Sequence, residues 1–213
     1  MDERPGEFHH RPFDGQGRSL WLPTLSRPRT LVLGSSQSEQ DVDEARLEAN
    51  GIELATRRTG GGAVLVGPDD LVWFDVVLPS TDPLWDSDVS RSFDWLGEAV
   101  QRALSTLGID TERHSGSLVS TEWSRQVCFA GLGPGELTID GKKVVGMSQR
   151  RTRTTSRIQV AILLQWDGAL HADLLRLDDG AREQAVAALR NVAIGLDHSP
   201  SEIMQAVLSE LNA

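Results

Sequence analysis

Lys142 and Lys143 stand side by side in Asp140-Gly141-Lys142-Lys143 and are the only lysines in a chain of 213 residues with Lys+Arg 21. Every other basic side chain is arginine. A chain that uses arginine wherever a generic cation suffices keeps lysine where a compact ammonium is needed, because a planar guanidinium fits a tight pocket poorly and gives up its proton far less readily. The competing explanation is solvated charge on an exposed turn, an ordinary place for lysine. Glycine follows at Gly146, where a missing side chain leaves room for an ammonium to sit over a bound carbonyl or phosphate.

A second constellation is Arg57-Arg58-Thr59-Gly60-Gly61-Gly62-Ala63-Val64. Consecutive glycines admit close backbone approach and can aim amide groups at an anion, and arginine supplies forked donors for carboxylate or phosphate. A tight strand connection would use the same glycines. No Gly-Lys-Ser/Thr follows, so this is not a Walker-type loop. The third is Cys128-Phe129, read as part of an apolar strand. A lone cysteine is usually a small buried hydrophobe. It becomes a nucleophile only where neighbouring cations favour the thiolate.

Composition limits what these groups can serve. A net charge of -10 and a pI near 4.9 argue against nucleic acid or an anionic membrane as the main partner. With one cysteine there is no internal disulfide, which suits a reducing cytoplasm. The first residues lack the features of a signal peptide, and no stretch approaches the roughly 20 apolar residues of a membrane span. One large domain is expected, residues 29–213, behind a polar arm at 1–28. His9 and His10 fall in that arm and read as mobile rather than as a metal site.

The elements that must position these groups alternate. Strands are expected at 30–33 and 52–56, with a helix at 41–50 closed by Gly51. Strands at 63–66 and 71–78 flank Gly67-Pro68-Asp69-Asp70 and suggest a hairpin. Apolar residues from Val89 to Leu107 recur at helical spacing over 88–107. Asp140-Gly141 is a favoured two-residue turn between 137–139 and 144–147, placing both lysines just past its tip. Residues 150–157 read as an arginine-rich linker to a strand at 158–164, and helices near 171–177, 181–193 and 199–211 close the chain. The fold class is α/β of the α+β type, a single domain with a mixed, largely antiparallel sheet and helices packed on one face.

Together, Arg57 to Val64 and Gly141-Lys142-Lys143-Val144-Val145-Gly146 with Ser148-Gln149-Arg150 resemble the signature of lipoate-protein ligase A and its relatives in the biotin and lipoate ligase superfamily. Leu33-Gly34-Ser35-Ser36-Gln37 and Gly51-Ile52-Glu53-Leu54 support the resemblance, which spans about residues 29–167. It implies attachment of a lipoyl or octanoyl group to a lysine of a carrier domain, either the E2 component of 2-oxoacid dehydrogenases or the H protein of glycine cleavage. By the same resemblance Arg57, Arg58, Gly60, Gly61, Gly62, Ala63, Lys142, Gly146 and Ser148 line the acyl and phosphate site. Lys143 contacts the activated carbonyl.

Two mechanisms are implied. Ligases form an acyl-adenylate from lipoate or octanoate with ATP and Mg2+, and Arg58 with the glycine triplet suits that route. Cysteine-dependent octanoyltransferases of the same superfamily use no such cofactor and take the acyl group from acyl carrier protein as an enzyme thioester. Cys128-Phe129, Glu136-Leu137 and Gly141-Lys142-Lys143 match their pattern. The ATP-dependent ligase is the first expectation and the transferase the second. The chain departs from the family at Val66-Gly67, where a His-Asp pair is usual, and in Ile158-Gln159-Val160-Ala161, where a His-Gly is usual. These departures motivate a third expectation, a non-catalytic acyl-binding module. Arg150, Arg151, Arg153 and Arg157 form a dense positive segment able to dock an acidic carrier or simply to lie in solvent.

Overall fold

The structure is a computed structural model that describes residues 5–12, 17–25 and 27–212. Helix α1 (Pro5–His10) and strand β1 (Ser19–Trp21) are followed by β2 (Thr30–Leu33), α2 (Glu44–Ala49), β3 (Glu53–Thr56), β4 (Val64–Val66) and β5 (Leu71–Pro79). Then come α3 (Asp94–Thr106), β6 (Glu112–Arg113), β7 (Leu137–Ile139), β8 (Lys142–Arg151), β9 (Thr155–Leu163), α4 (Gly168–Leu174), α5 (Asp179–Leu189) and α6 (Pro200–Leu211). A six-stranded antiparallel sheet runs β1-β5-β9-β8-β7-β6, and a three-stranded sheet runs β3-β2-β4 with β2 parallel to β3 and antiparallel to β4. This is the mixed, largely antiparallel α+β arrangement expected.

The large sheet is buried on both faces. On one, Val72, Phe74, Val76, Ile158, Val160 and Ile162 pack with Leu96, Val100 and Leu104 of α3 and Ile203 and Val207 of α6. On the other, Leu71, Trp73, Ala161 and Leu163 meet Val32, Val64 and Val66 of the small sheet, together with Phe8 and Phe129. Double burial explains why β5 carries an unbroken buried run and no alternation. It also overturns the expected hairpin at 63–78. β4 pairs with β2 and β5 with β9, each strand being buried along its whole length in its own sheet.

Several local expectations also change. The helix expected from residue 88 begins at Asp94 behind a short 3-10 turn, and Val89 is 53% exposed. The expected linker 150–157 is instead the end of β8, a tight turn and the start of β9, with Arg150 paired to Arg157. Cys128 opens a 3-10 turn, Cys128–Ala130, and is not on a strand. His9 and Phe8 are buried at 3% and 0% exposure, not mobile. The sequence hides this because their burial is completed by polar partners: Arg157 donates to the carbonyls of Phe8 at 2.8 Å, His9 at 3.1 Å and Arg11 at 3.3 Å.

Candidate active site

The glycine triplet is shaped by Arg57. The residue is 2% exposed. Nε donates to the Thr59 hydroxyl at 2.9 Å, one terminal nitrogen to the Val32 carbonyl at 3.1 Å, and the other to the carbonyls of Gly60 at 2.7 Å and Gly62 at 2.8 Å. These bonds wrap the loop around the side chain. Glycine is demanded at two points. Gly61 has φ +93°, a region closed to most side chains. A Cβ on Gly62 would lie 2.5 Å from the Val127 nitrogen, because the chain entering the cysteine turn passes directly over it.

That passage places the cysteine. The Ala63 amide donates to the Gln126 carbonyl at 2.8 Å, and the Cys128 amide donates to the Ala63 carbonyl at 3.1 Å. One residue of the glycine loop thus holds both sides of the turn. Cys128 is half-buried, and its sulfur would lie 3.4 Å from a Cβ on Gly61.

The lysine hairpin closes the other side. Asp140 and Gly141 both have positive φ, 50° and 73°, as the expected two-residue turn requires. Pairing then shifts, with Thr138 opposite Lys143 but Leu137 opposite Val145. The extra residue, Val144, is a β-bulge, and such bulges re-aim side chains. Here it puts Lys143 on the same face as Gly146 and Ser148, three and five residues on, where strict alternation would have chosen Lys142. The Lys143 ammonium pairs with the Glu136 carboxylate at 2.7 Å and donates to the carbonyls of Cys128 at 3.1 Å and Gly131 at 2.9 Å. It lies 5.1 Å from the Phe129 ring centre. Its three N–H groups therefore all reach the cysteine turn or the carboxylate behind it.

Arg57, Cys128, Phe129, Gly146, Ser148, Gln159 and Trp73 share one narrow, open-mouthed pocket. A polar chain runs from it into the core. Ser148 donates to Thr59 at 3.0 Å, Thr59 to Gln159 at 2.6 Å, and the Gln159 amide to Asp75 at 3.0 Å. Asp75 is fully buried, pairs with Arg157 and accepts from the Trp73 indole at 2.8 Å. Burial pushes its carboxyl up from the ordinary value, against the pull of Arg157.

His9 stacks edge-on to Trp73, with ring centres 5.0 Å apart. Its pKa is lowered to about 3, first by burial and then by Arg57 and Arg157. The unfolded chain takes up this proton near pH 6.5 while the folded one does not, so His9 stabilises the fold above that pH and less below it. Between pH 7.5 and 5 a loss of about 2 kcal/mol is expected from this residue. Denaturant midpoints across that range should flatten partly in His9→Gln. The flattening is partial because burial also lowers His171. An unchanged slope would reject the assignment.

The remaining candidates lie at the rim. Arg58 is exposed, 3.3 Å from a His10 ring nitrogen, and Lys142 is half-buried. Arg150 and Arg153 are exposed, and Arg151 stacks on Trp85 at 3.9 Å. Thr59, Glu136, Asp75, Gln159 and His9 join the site without having been expected there. Glu136 appeared in the sequence only as part of a motif, and nothing local marks Asp75 or Gln159 as inward polar positions. Among the described residues no group of three or more His, Cys, Asp or Glu is placed to hold a metal. Arg58, two residues before Gly60, is an exposed cation at the rim.

With this geometry in hand, comparison with known proteins is decisive at the level of family. The model of the lipoyl protein ligase A/B catalytic domain matches residues 9–211. The chain belongs to that family. The octanoyltransferase LipM of Exiguobacterium sibiricum is 31% identical over 195 residues, 85% of this chain and 69% of its own length. LipM of another Exiguobacterium strain is 30% identical over 179 residues, 80% of this chain and 63% of its own. Lipoate-protein ligase A subunit 1 of Thermoplasma acidophilum is 28% identical over 186 residues, 84% and 66%. The chain thus spans about two thirds of these relatives. Among solved structures, the bipartite lipoate protein ligase of T. acidophilum shares the fold with TM-score 0.70 at 24% identity, covering 92% of this chain and 69% of that one. A T. acidophilum protein with bound lipoic acid matches with TM-score 0.70 at 22% identity, covering 97% and 77%. No helix among the described residues is long and apolar enough to cross a membrane.

Proposed function

We propose that this domain transfers an octanoyl group to a lysine of a carrier domain through a thioester on Cys128. The observation that carries this is the half-buried thiol in the pocket wall, between the glycine loop and the lysine hairpin. In the first step the thiolate attacks the thioester carbonyl of octanoyl acyl carrier protein. The new C–S bond forms, the bond to the carrier's sulfur breaks, and that sulfur leaves and takes up a proton. In the second step a neutral lysine amine attacks, an amide forms, Cys128 departs as thiolate, and the amine's surplus proton goes to solvent. The acceptors fit the lipoyl domain of a 2-oxoacid dehydrogenase E2 or the glycine cleavage H protein, in a cytoplasm that keeps the thiol reduced.

The ATP-dependent ligase is the second reading, favoured by the exposed Arg58 beside Gly60. Intact mass after incubation with octanoyl acyl carrier protein, and separately with lipoate, ATP and magnesium, separates the two. One octanoyl adduct, absent in Cys128→Ser, is expected. A lipoyl-adenylate from both proteins with no adduct would replace the transferase with the ligase, and silence in both reactions would leave an acyl-binding module.

Arg150 faces the same side of β8 as Ser148, and Arg153 lies in the adjoining turn, so an acidic carrier is steered towards the pocket by charge. Reversing both, Arg150→Glu with Arg153→Glu, should weaken carrier binding at least fivefold at low salt and far less at high salt. Equal affinities at all ionic strengths would remove the docking role.

A further inference from the structure

Arg57 is a buried cation with no acid beside it. Its donors end on one hydroxyl and three carbonyl oxygens, and no ion pair with a carboxylate is formed among the described residues. Carbonyl dipoles solvate a charge without neutralising it, and a buried charge left unneutralised is costly. The other two buried cations of this region are compensated, Lys143 by Glu136 and Arg157 by Asp75. Asp75 reaches Arg57 only through Gln159 and Thr59. His9, which also faces this guanidinium, is held neutral by burial.

A Cβ on Gly61 would sit 3.0 Å from the Arg57 terminal nitrogen and 3.4 Å from the Cys128 sulfur. The guanidinium and thiol thus flank the same bare Cα, which screens neither from the other. Lys143 meets Cys128 through the backbone carbonyl and carries its own counter-ion. Burial lowers the Arg57 pKa, and Cys128 opposes that shift.

We propose that Cys128 is the partner Arg57 lacks, and that Arg57 is the positioning residue whose charge stabilises the negative charge this sulfur carries during acyl transfer. Gly61 then serves the pair by keeping the space between them free of a side chain. Lys143 and Glu136 hold the turn in place, with their charges already cancelled.

The inference rests on Cys128 as the acyl carrier, but its test needs no acyl substrate. The rate of Cys128 alkylation by iodoacetamide is followed from pH 5 to 10 in wild type, Arg57→Gln and Arg57→Lys. Arg57→Gln is expected to react about tenfold more slowly at pH 7 and equally fast or faster at pH 10, its midpoint moved up by about one unit. Arg57→Lys, which keeps the charge and loses the fork, should hold its midpoint closer to wild type. A folded Arg57→Gln with an unmoved midpoint overturns the proposal. Should Arg57→Gln not fold, thermal midpoints decide. Cys128→Asp, with a fixed negative charge, should melt above Cys128→Asn, and equality or the reverse order overturns the pairing. A moved midpoint without an octanoyl adduct keeps the charge pair and removes the transferase, and an adduct with an unmoved midpoint does the opposite.

Discussion

Lys143→Ala should destabilise the protein by about 3–5 kcal/mol, the usual cost of stranding one member of a buried ion pair. For a chain of this size that is a fall of roughly 10 °C in melting temperature. The carboxylate left behind, Glu136, is 3% exposed and keeps only the amides of Gly133 at 2.6 Å and Met147 at 2.8 Å. The carbonyls of Cys128 and Gly131 lose their donor at the same time, so the turn loosens and acyl transfer should fall with stability. Lys143→Arg is expected to restore little. A Cβ on Gly146 would already lie 3.3 Å from Lys143 Cε and 3.2 Å from Phe129, and the broad guanidinium has no room there. Lys143→Met with Glu136→Gln should recover part of the loss, since both charges are then gone. Calorimetry of the three variants checks this, and a Lys143→Ala midpoint within about 2 °C of wild type would remove the clamp.

Asp75→Ala is the second large effect, about 3–5 kcal/mol by the same reasoning. It strands the Arg157 guanidinium, whose remaining bonds go to the backbone of α1 and the residue after it. It also takes the acceptor from Trp73 and Gln159. Hydrogen exchange should show residues 5–12 losing protection before the large sheet does. Asp75→Val with Arg157→Met removes both charges and should be more stable than Asp75→Ala alone. Equal stability of the two would mean that the pair itself contributes nothing.

The groups that could do chemistry were legible because their types are unusual. A lysine pair in an arginine chain, a glycine triplet after two arginines and a single cysteine meet in one corner of the fold, with Arg57 and Cys128 in the pocket wall, Lys143 bonded to the cysteine turn, and Arg58 and Lys142 at the rim. Strand β2 and the Asp140-Gly141 turn were legible because backbone chemistry there is local. Residues that act through long-range pairing were not. Asp75 and Gln159 sit in apolar strands, where a polar residue reads as a solvent-facing position until the sheet above it is known. Phe8 and His9 occur in a polar stretch whose burial depends on Arg157, nearly 150 positions later. β4 and β5 could not be assigned to separate sheets from their own sequences, because β4 is apolar throughout and β5 is apolar but for Asp75. The choice of Lys143 over Lys142 depends on one extra residue in a pairing register, which periodicity cannot see.

That extra residue bears on how the hairpin can change over evolutionary time. The tip at Asp140-Gly141 makes no close contact at the glycine Cα, and loop tips ordinarily accept insertions. Deleting one of Val144 or Val145 would remove the bulge and leave Lys143 two residues before Gly146, on the same face by simple alternation, whereas flattening the bulge with both valines kept would send Lys142 towards the pocket face and Lys143 to the opposite one. The bulge, rather than the order of the two lysines, therefore decides which of them serves the site. Lys143 keeps its place through the loss of a single codon there, and exchanges with Lys142 only if the full-length strand pairs without its bulge.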